Sequence, residues 1–195
     1  MSSSQVIVIV LAVLVVAALI AVAVVVMRRR SLRQRFGPEY DRLAEQESAS
    51  AAARELRARE RRHAELELTE LAPEARARYA HDWEEIQARF VDSPAEAVAE
   101  ADELVTRLIS ERGYPTEDYS SQLEHLSVEH SRTLTHYREA HDIQLRNARG
   151  EAGTEELRQA VVHYRALFAD LLGEQPVPQE TSSDHPDRPQ DATSR

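Results

Sequence analysis

The chain has 195 residues with 24 basic and 34 acidic side chains, a formal net charge of −10, no cysteine, and arginine as its only basic residue type besides histidine. That composition excludes disulfides, thiolate catalysis, cysteine-ligated zinc, Schiff-base lysines and the lysine of a phosphate-binding loop. The charge is uneven, with 11 arginines against 8 acids in residues 28–68 and 11 against 22 in residues 69–175; the distal part repels phosphates, so nucleic acid is not an expected partner.

Residues 1–5 form a short polar N-terminus, and residues 6–27 contain no polar side chain. As a helix this run spans about 33 Å at ~1.5 Å per residue, against a hydrocarbon core of about 30 Å, which predicts a transmembrane helix. Ala21-Val22-Ala23 resembles a signal-peptide cleavage site. The start has no basic segment, however, and the apolar run is longer than a signal peptide requires, so an uncleaved anchor is expected. Basic residues occur only on its downstream border, at Arg28, Arg29, Arg30, Arg33 and Arg35. The positive-inside rule therefore puts the N-terminus outside and the remaining chain in the cytoplasm, as a single-pass protein of the inner or plasma membrane with those arginines at the lipid headgroups. Ala17 and Ala21 make a small-xxx-small pair compatible with self-association.

Residues 28–38 read as a basic juxtamembrane segment broken by Phe36-Gly37-Pro38, and residues 39–69 as a polar helical stalk or short coiled coil. Apolar residues are sparse there (Leu43, Leu56, Leu66), and opposite charges recur at helical spacing, as in Glu55 with Arg59 and Arg61 with Glu65.

Residues 70–173 carry four amphipathic helices, predicting an all-α fold with an antiparallel four-helix bundle. The first opens at Pro73 and aligns Tyr79, Trp83, Ile86 and Phe90. The second has Ser93 as N-cap, Pro94 at its first position and Glu96 completing a capping box, with a stripe of Ala97, Val98, Ala101, Leu104, Val105 and Leu108. A short helical turn near residues 119–126 leads into a third helix over about residues 127–148. Thr154 caps a fourth with Leu157, Val161, Tyr164, Phe168, Leu171 and Leu172 on one face. Residues 174–195, rich in Pro, Ser and Asp, are expected to be a disordered tail.

The segment Gln34-Arg35-Phe36-Gly37-Pro38-Glu39-Tyr40-Asp41-Arg42, with "RFVDSPAEAVAEADELV", "RGYP", "LSVEH" and "ELRQAVVHYRALF", resembles a bacterial family of single-pass membrane proteins of unknown function. The resemblance covers about residues 33–172. It implies the layout of anchor and helical domain and supplies no activity, cofactor or catalytic residue.

The tripeptide His-Tyr-Arg occurs at 136–138 and 163–165, each tyrosine on an apolar stripe and each histidine on its flank. His130, Tyr137 and His141 share a stripe on the third helix and form a candidate buried polar cluster, each histidine requiring a tyrosine hydroxyl or an acid as partner. The chain has no zinc-protease motif, nucleophile elbow, glycine-rich phosphate loop or dinucleotide fingerprint. The one Glu-x-x-His, Glu60 with His63, falls in the stalk, and His81/Glu85 and His125/Glu129 are i,i+4 pairs of a kind that acid-rich helices produce by chance. No catalytic, cofactor or metal residue is assigned, and an enzyme is not expected. The reading is a membrane-tethered cytoplasmic interaction or scaffold module, its partners the lipid bilayer and a protein of basic surface. The alternative is a histidine-containing metal-binding or pH-sensing domain, or an enzyme with an unrecognised site.

Overall fold

The computed structural model describes residues 3–173, with side chains at residue 11 and from residue 13 onward. All regular structure among the described residues is helical: α1 (Ser3–Phe36), α2 (Pro38–Gln46), α3 (Ala49–His63), α4 (Pro73–Arg89), α5 (Pro94–Glu111), α6 (Tyr119–Glu129), α7 (Leu134–Asn147) and α8 (Thr154–Leu172). The tail expected to be disordered, residues 174–195, lies outside the described residues, as do residues 1 and 2 of the N-terminus.

The main core belongs to α4, α5, α7 and α8. The predicted stripe of α5 is buried throughout, from Ala97 to Leu108, as is Ile109 beyond it, and meets Leu157, Tyr164, Phe168 and Leu171 of α8 and Tyr137 and Ala140 of α7. The α5, α7 and α8 helices pack on one another pairwise. The α4 helix lies against α5 and reaches α8 through Trp83, whose ring stacks on Phe168 at a centroid distance of 4.8 Å. Contacts at the helix ends give antiparallel neighbours: Tyr79 near the start of α4 donates to Glu111 at the end of α5, and Asn147 at the end of α7 donates to the Ala95 carbonyl at the start of α5. Two predicted caps differ. Ser93 stands at the α5 N-cap without a side-chain cap bond, and Gly153 rather than Thr154 precedes α8, its N–H donating to Glu156 at 2.9 Å.

The third predicted helix is two helices. The break at residues 130–133 is built by side chains that take hydrogen bonds away from the helix. The Thr133 hydroxyl bonds Asp170 at 2.8 Å, the His130 ring reaches the same carboxylate, and the Ser131 hydroxyl donates to the Arg35 carbonyl at 3.0 Å. These partners lie on α8 and α1, far away in sequence.

The predicted stalk over residues 39–69 is not a single extended helix. Helices α2 and α3 fold back on each other and on the end of α1. Ser48 makes the corner by accepting from the Ala51 N–H at 3.2 Å. Leu32, Phe36, Tyr40, Leu43, Ala52, Ala53 and Leu56 bury one another together with Val128 of α6, forming a second, smaller core. Alanines let the helices approach closely, so few large apolar residues are needed.

Beyond α3 the chain crosses the end of α5 in extended form, with the Thr69 N–H donating to the Arg112 carbonyl at 3.0 Å. Gly113 sits under this crossing with φ +91°, and a Cβ there would stand 2.7 Å from the Glu67 carbonyl oxygen. Gly113→Ala is therefore expected to cost about 2 kcal/mol or more, through a left-handed backbone and a clash with main chain. Thermal unfolding checks this as a drop in midpoint of roughly 4–8 °C.

In α1, Leu11, Leu14, Leu19, Ile20 and Met27 are each 59–66% exposed, and the valines between them are 40–62% exposed. Among the described residues no helix is long and apolar enough to cross a membrane. The predicted span over residues 6–27 extends into positions whose side chains are outside the description, and residues 13–27 alone fall short of the ~20 required.

Candidate functional site

The two cores meet at a joint where α1, α2 and α3 contact α6 and α7, and buried charge is concentrated there. Glu39 is only 2% exposed. It lies in the first turn of α2, where Pro38 sets the helix start and Gly37 (φ 46°, ψ −120°) supplies a backbone conformation that side chains strongly disfavour. Three guanidinium groups converge on its carboxylate: Arg42 of α2 through two bonds of 2.7 and 3.1 Å, Arg59 of α3 at 2.9 Å and Arg138 of α7 at 2.8 Å. Arg59 also donates to Glu55 at 3.0 Å, the i,i+4 pair expected from the sequence. Arg62 extends the network by bonding both Glu55 and Glu124 of α6. Burial alone would raise the Glu39 pKa, but the hydrogen bonds and charges of Arg42 and Arg138 outweigh it and hold the carboxyl at about 2.

A second chain of polar groups runs beside it. His63 at the end of α3 faces Glu129 of α6 at 3.2 Å, and the Tyr114 hydroxyl donates to the other oxygen of Glu129 at 3.1 Å. The Nε2 of His130 lies 3.2 Å from that hydroxyl and its Nδ1 lies 2.9 Å from Asp170 of α8. Burial pushes the carboxyls of Glu129 and Asp170 upward, but their histidine partners, His63 and His130, bring both below the usual range. Burial and the charge of Glu129 push the Tyr114 hydroxyl well above its ordinary value. The Nδ1 atoms of His63 and His125 are buried without a hydrogen-bond partner among the described residues.

Of the predicted cluster, Tyr137 and His141 lie together, with ring centroids 6.2 Å apart, whereas His130 is bonded elsewhere. His130 ends α6 and belongs to the chain just described. Tyr137 is buried in the main core and donates to Gln122 of α6 at 3.1 Å. His141 stacks on Tyr119 at 4.2 Å and faces Asp102 at 3.3 Å, and the same carboxylate oxygen accepts from Tyr164 at 2.6 Å. The separation follows from the helix break, which takes His130 off the face shared by Tyr137 and His141. Each histidine nonetheless has the acid or tyrosine partner that burial demands.

No family model, curated protein or solved structure matches the chain. Site residues are therefore assigned on their geometry alone. Of the five predicted membrane-interface arginines, Arg28, Arg29 and Arg30 are exposed, whereas Arg33 also pairs with Asp41 and Arg35 with Glu60, each at 3.0 Å. These two bind the end of α1 to α2 and α3. The sequence reading missed Glu39, although it lies inside the quoted segment from Gln34 to Arg42. The signal was a glutamate directly after Gly-Pro, flanked by Phe36 and Tyr40 on the only apolar face nearby.

Proposed function

We propose that the chain is a membrane-anchored helical adaptor whose acidic domain is held in a fixed orientation against the cytoplasmic face. One observation carries this reading. A helix that is apolar on all sides up to Met27 passes through Arg28, Arg29 and Arg30 and ends with Leu32 and Phe36 buried in the folded domain. A helix apolar all round is stable when lipid or protein surrounds it. The arginines that follow favour the cytoplasmic side, by about 1 kcal/mol each at an anionic surface. Because the anchor helix is part of the second core, the domain does not swing on a stalk. Its surface faces are fixed relative to the bilayer, which raises the effective concentration of a bound partner at one orientation. The acidic excess of residues 69–175 suits a protein partner with a basic surface.

Fusing a reporter after residue 195 tests this. A fluorescent protein that matures only in the cytosol is expected to be bright in the membrane fraction, and alkaline phosphatase at the same position to be inactive. Deleting residues 2–27 is expected to release the fluorescence to the soluble fraction. An active phosphatase fusion, or full-length protein washed from membranes by alkaline carbonate, overturns the reading.

A further inference from the structure

The repeated His-Tyr-Arg tripeptide places two histidines together on the outer face of the α7–α8 pair. The Nδ1 atoms of His136 and His163 lie 3.0 Å apart, with the rings stacked at a centroid distance of 5.0 Å. Glu139, one turn along α7 from His136, brings a carboxylate oxygen to 3.3 Å from His163 Nε2 and 3.8 Å from His136 Nδ1. One donor atom from each of the three side chains falls within 4.8 Å of the other two. We propose that His136, Glu139 and His163 bind a divalent transition-metal ion of the zinc type, which clamps α7 to α8.

Metal–ligand bonds of about 2.0–2.2 Å place neighbouring donors of a tetrahedral centre roughly 3.3 Å apart; one donor atom from each side chain, a single ring nitrogen in the case of His163, lies within 4.8 Å of the other two, so small side-chain rotations bring the three onto one ion. Two imidazoles and a carboxylate without a thiolate suit Zn²⁺, Ni²⁺ or Cu²⁺, and suit neither Cu(I) nor the all-oxygen cages of Ca²⁺ and Mg²⁺. Exposure of about half at His136 and Glu139 leaves room for water to complete the coordination.

The site is also held in place. Tyr137 and Tyr164, each next in sequence to one of the histidines, are buried, pack edge to face at 6.2 Å, and are tied by their hydroxyls to Gln122 and Asp102. These anchors fix the register of α7 against α8 and so the meeting of the two imidazoles. The inference is independent of the membrane reading, since neither helix takes part in the anchor.

The test is a zinc titration of the full chain, purified in detergent without a polyhistidine tag, followed by calorimetry and by thermal unfolding. One saturable site per chain is expected, with a midpoint rise of about 5 °C at a hundredfold excess over Kd. His163→Ala and Glu139→Gln are each expected to weaken binding at least tenfold, and His81→Ala, which alters a separate exposed His–Glu pair, to leave it unchanged. If His163→Ala does not reach the wild-type midpoint in chelator, His136→Ala takes its place. Three results overturn the proposal: no saturation at about 1 mM zinc, unchanged affinity in the ligand variants, or loss of affinity in His125→Ala, which would place the ion at the unpartnered nitrogens of His63 and His125.

Discussion

Glu39→Gln is expected to lower the stability of the unit formed by α2, α3 and the end of α1 by about 3–5 kcal/mol, the cost of breaking a buried ion pair by removing one partner. The substitution keeps the shape of the side chain and removes the negative charge on which Arg42, Arg59 and Arg138 converge. Arg59 is the decisive partner because its side chain is only 8% exposed. With Glu39 neutral it keeps the half-buried Glu55 and a long contact to the Ser127 hydroxyl, and otherwise lies in low dielectric facing two other cations. Arg42→Ala is the contrasting change: Arg42 is 38% exposed and its loss leaves Glu39 two partners, so about 1 kcal/mol is expected. Trp83, the only tryptophan, stacks on Phe168 in the main core and reports that core alone, whereas circular dichroism reports every helix. In urea, Glu39→Gln is expected to produce an early circular-dichroism transition that tryptophan fluorescence does not follow. Coincident transitions at the wild-type midpoint would show that the buried carboxylate contributes nothing.

The same group sets an acid limit on the joint. The folded pKa of Glu39, about 2, is below the 4.5 of an ordinary glutamate, so between these values the unfolded chain binds more protons than the folded one. The stabilisation is complete above pH 4.5 and declines as the pH falls toward 2. Glu55, Glu129 and Asp170, whose pKa values are also lowered, act in the same direction. Acid is thus expected to open the joint, and Glu39→Gln to flatten the dependence.

The main core was legible because its signals are local. Periodic apolar residues mark α4, α5 and α8, and Pro73, Pro94 and Gly113 mark their limits. The α2–α3 hairpin was hidden because its packing uses Ala52 and Ala53, which a hydropathy pattern scarcely registers, and because its buried polar anchor, Glu39, looks like any helix-surface acid. The break between α6 and α7 was hidden for another reason: Asp170 and Arg35, the groups that hold it, lie about 40 and 96 residues from their partners. The histidine pair of α7 and α8 stood between these cases. Its repeat was visible, but the meeting of His136 and His163 depends on the register of two helices.

Phe36→Ala is expected to separate α1 from the rest of the chain without unfolding the main core. Phe36 is fully buried, in a cluster with Leu32, Tyr40, Leu43, Leu56 and Val128, and truncating a buried phenylalanine costs about 3–5 kcal/mol. The loss is local because the main core shares none of these side chains. It falls on the contacts that keep α1 seated, leaving Arg33 with Asp41 and Arg35 with Glu60, exposed pairs worth about 0–1 kcal/mol each, and the Ser131 bond to the Arg35 carbonyl, worth about 1 kcal/mol. Trypsin reads the result, since Arg33, Arg35 and Arg42 are cleavage sites held inside ordered helices. Where cleavage follows a rapid local opening, its rate tracks the opening equilibrium, so the loss corresponds to an increase of at least about a hundredfold. Val91→Ala, at an 81% exposed position, is expected to leave the rate unchanged. Wild-type protection in Phe36→Ala would mean that α1 is held by its polar contacts, Arg33 with Asp41, Arg35 with Glu60 and the Ser131 bond to the Arg35 carbonyl, rather than by the apolar cluster. The proposed fixed orientation would then be released by breaking those contacts and not by emptying the small core.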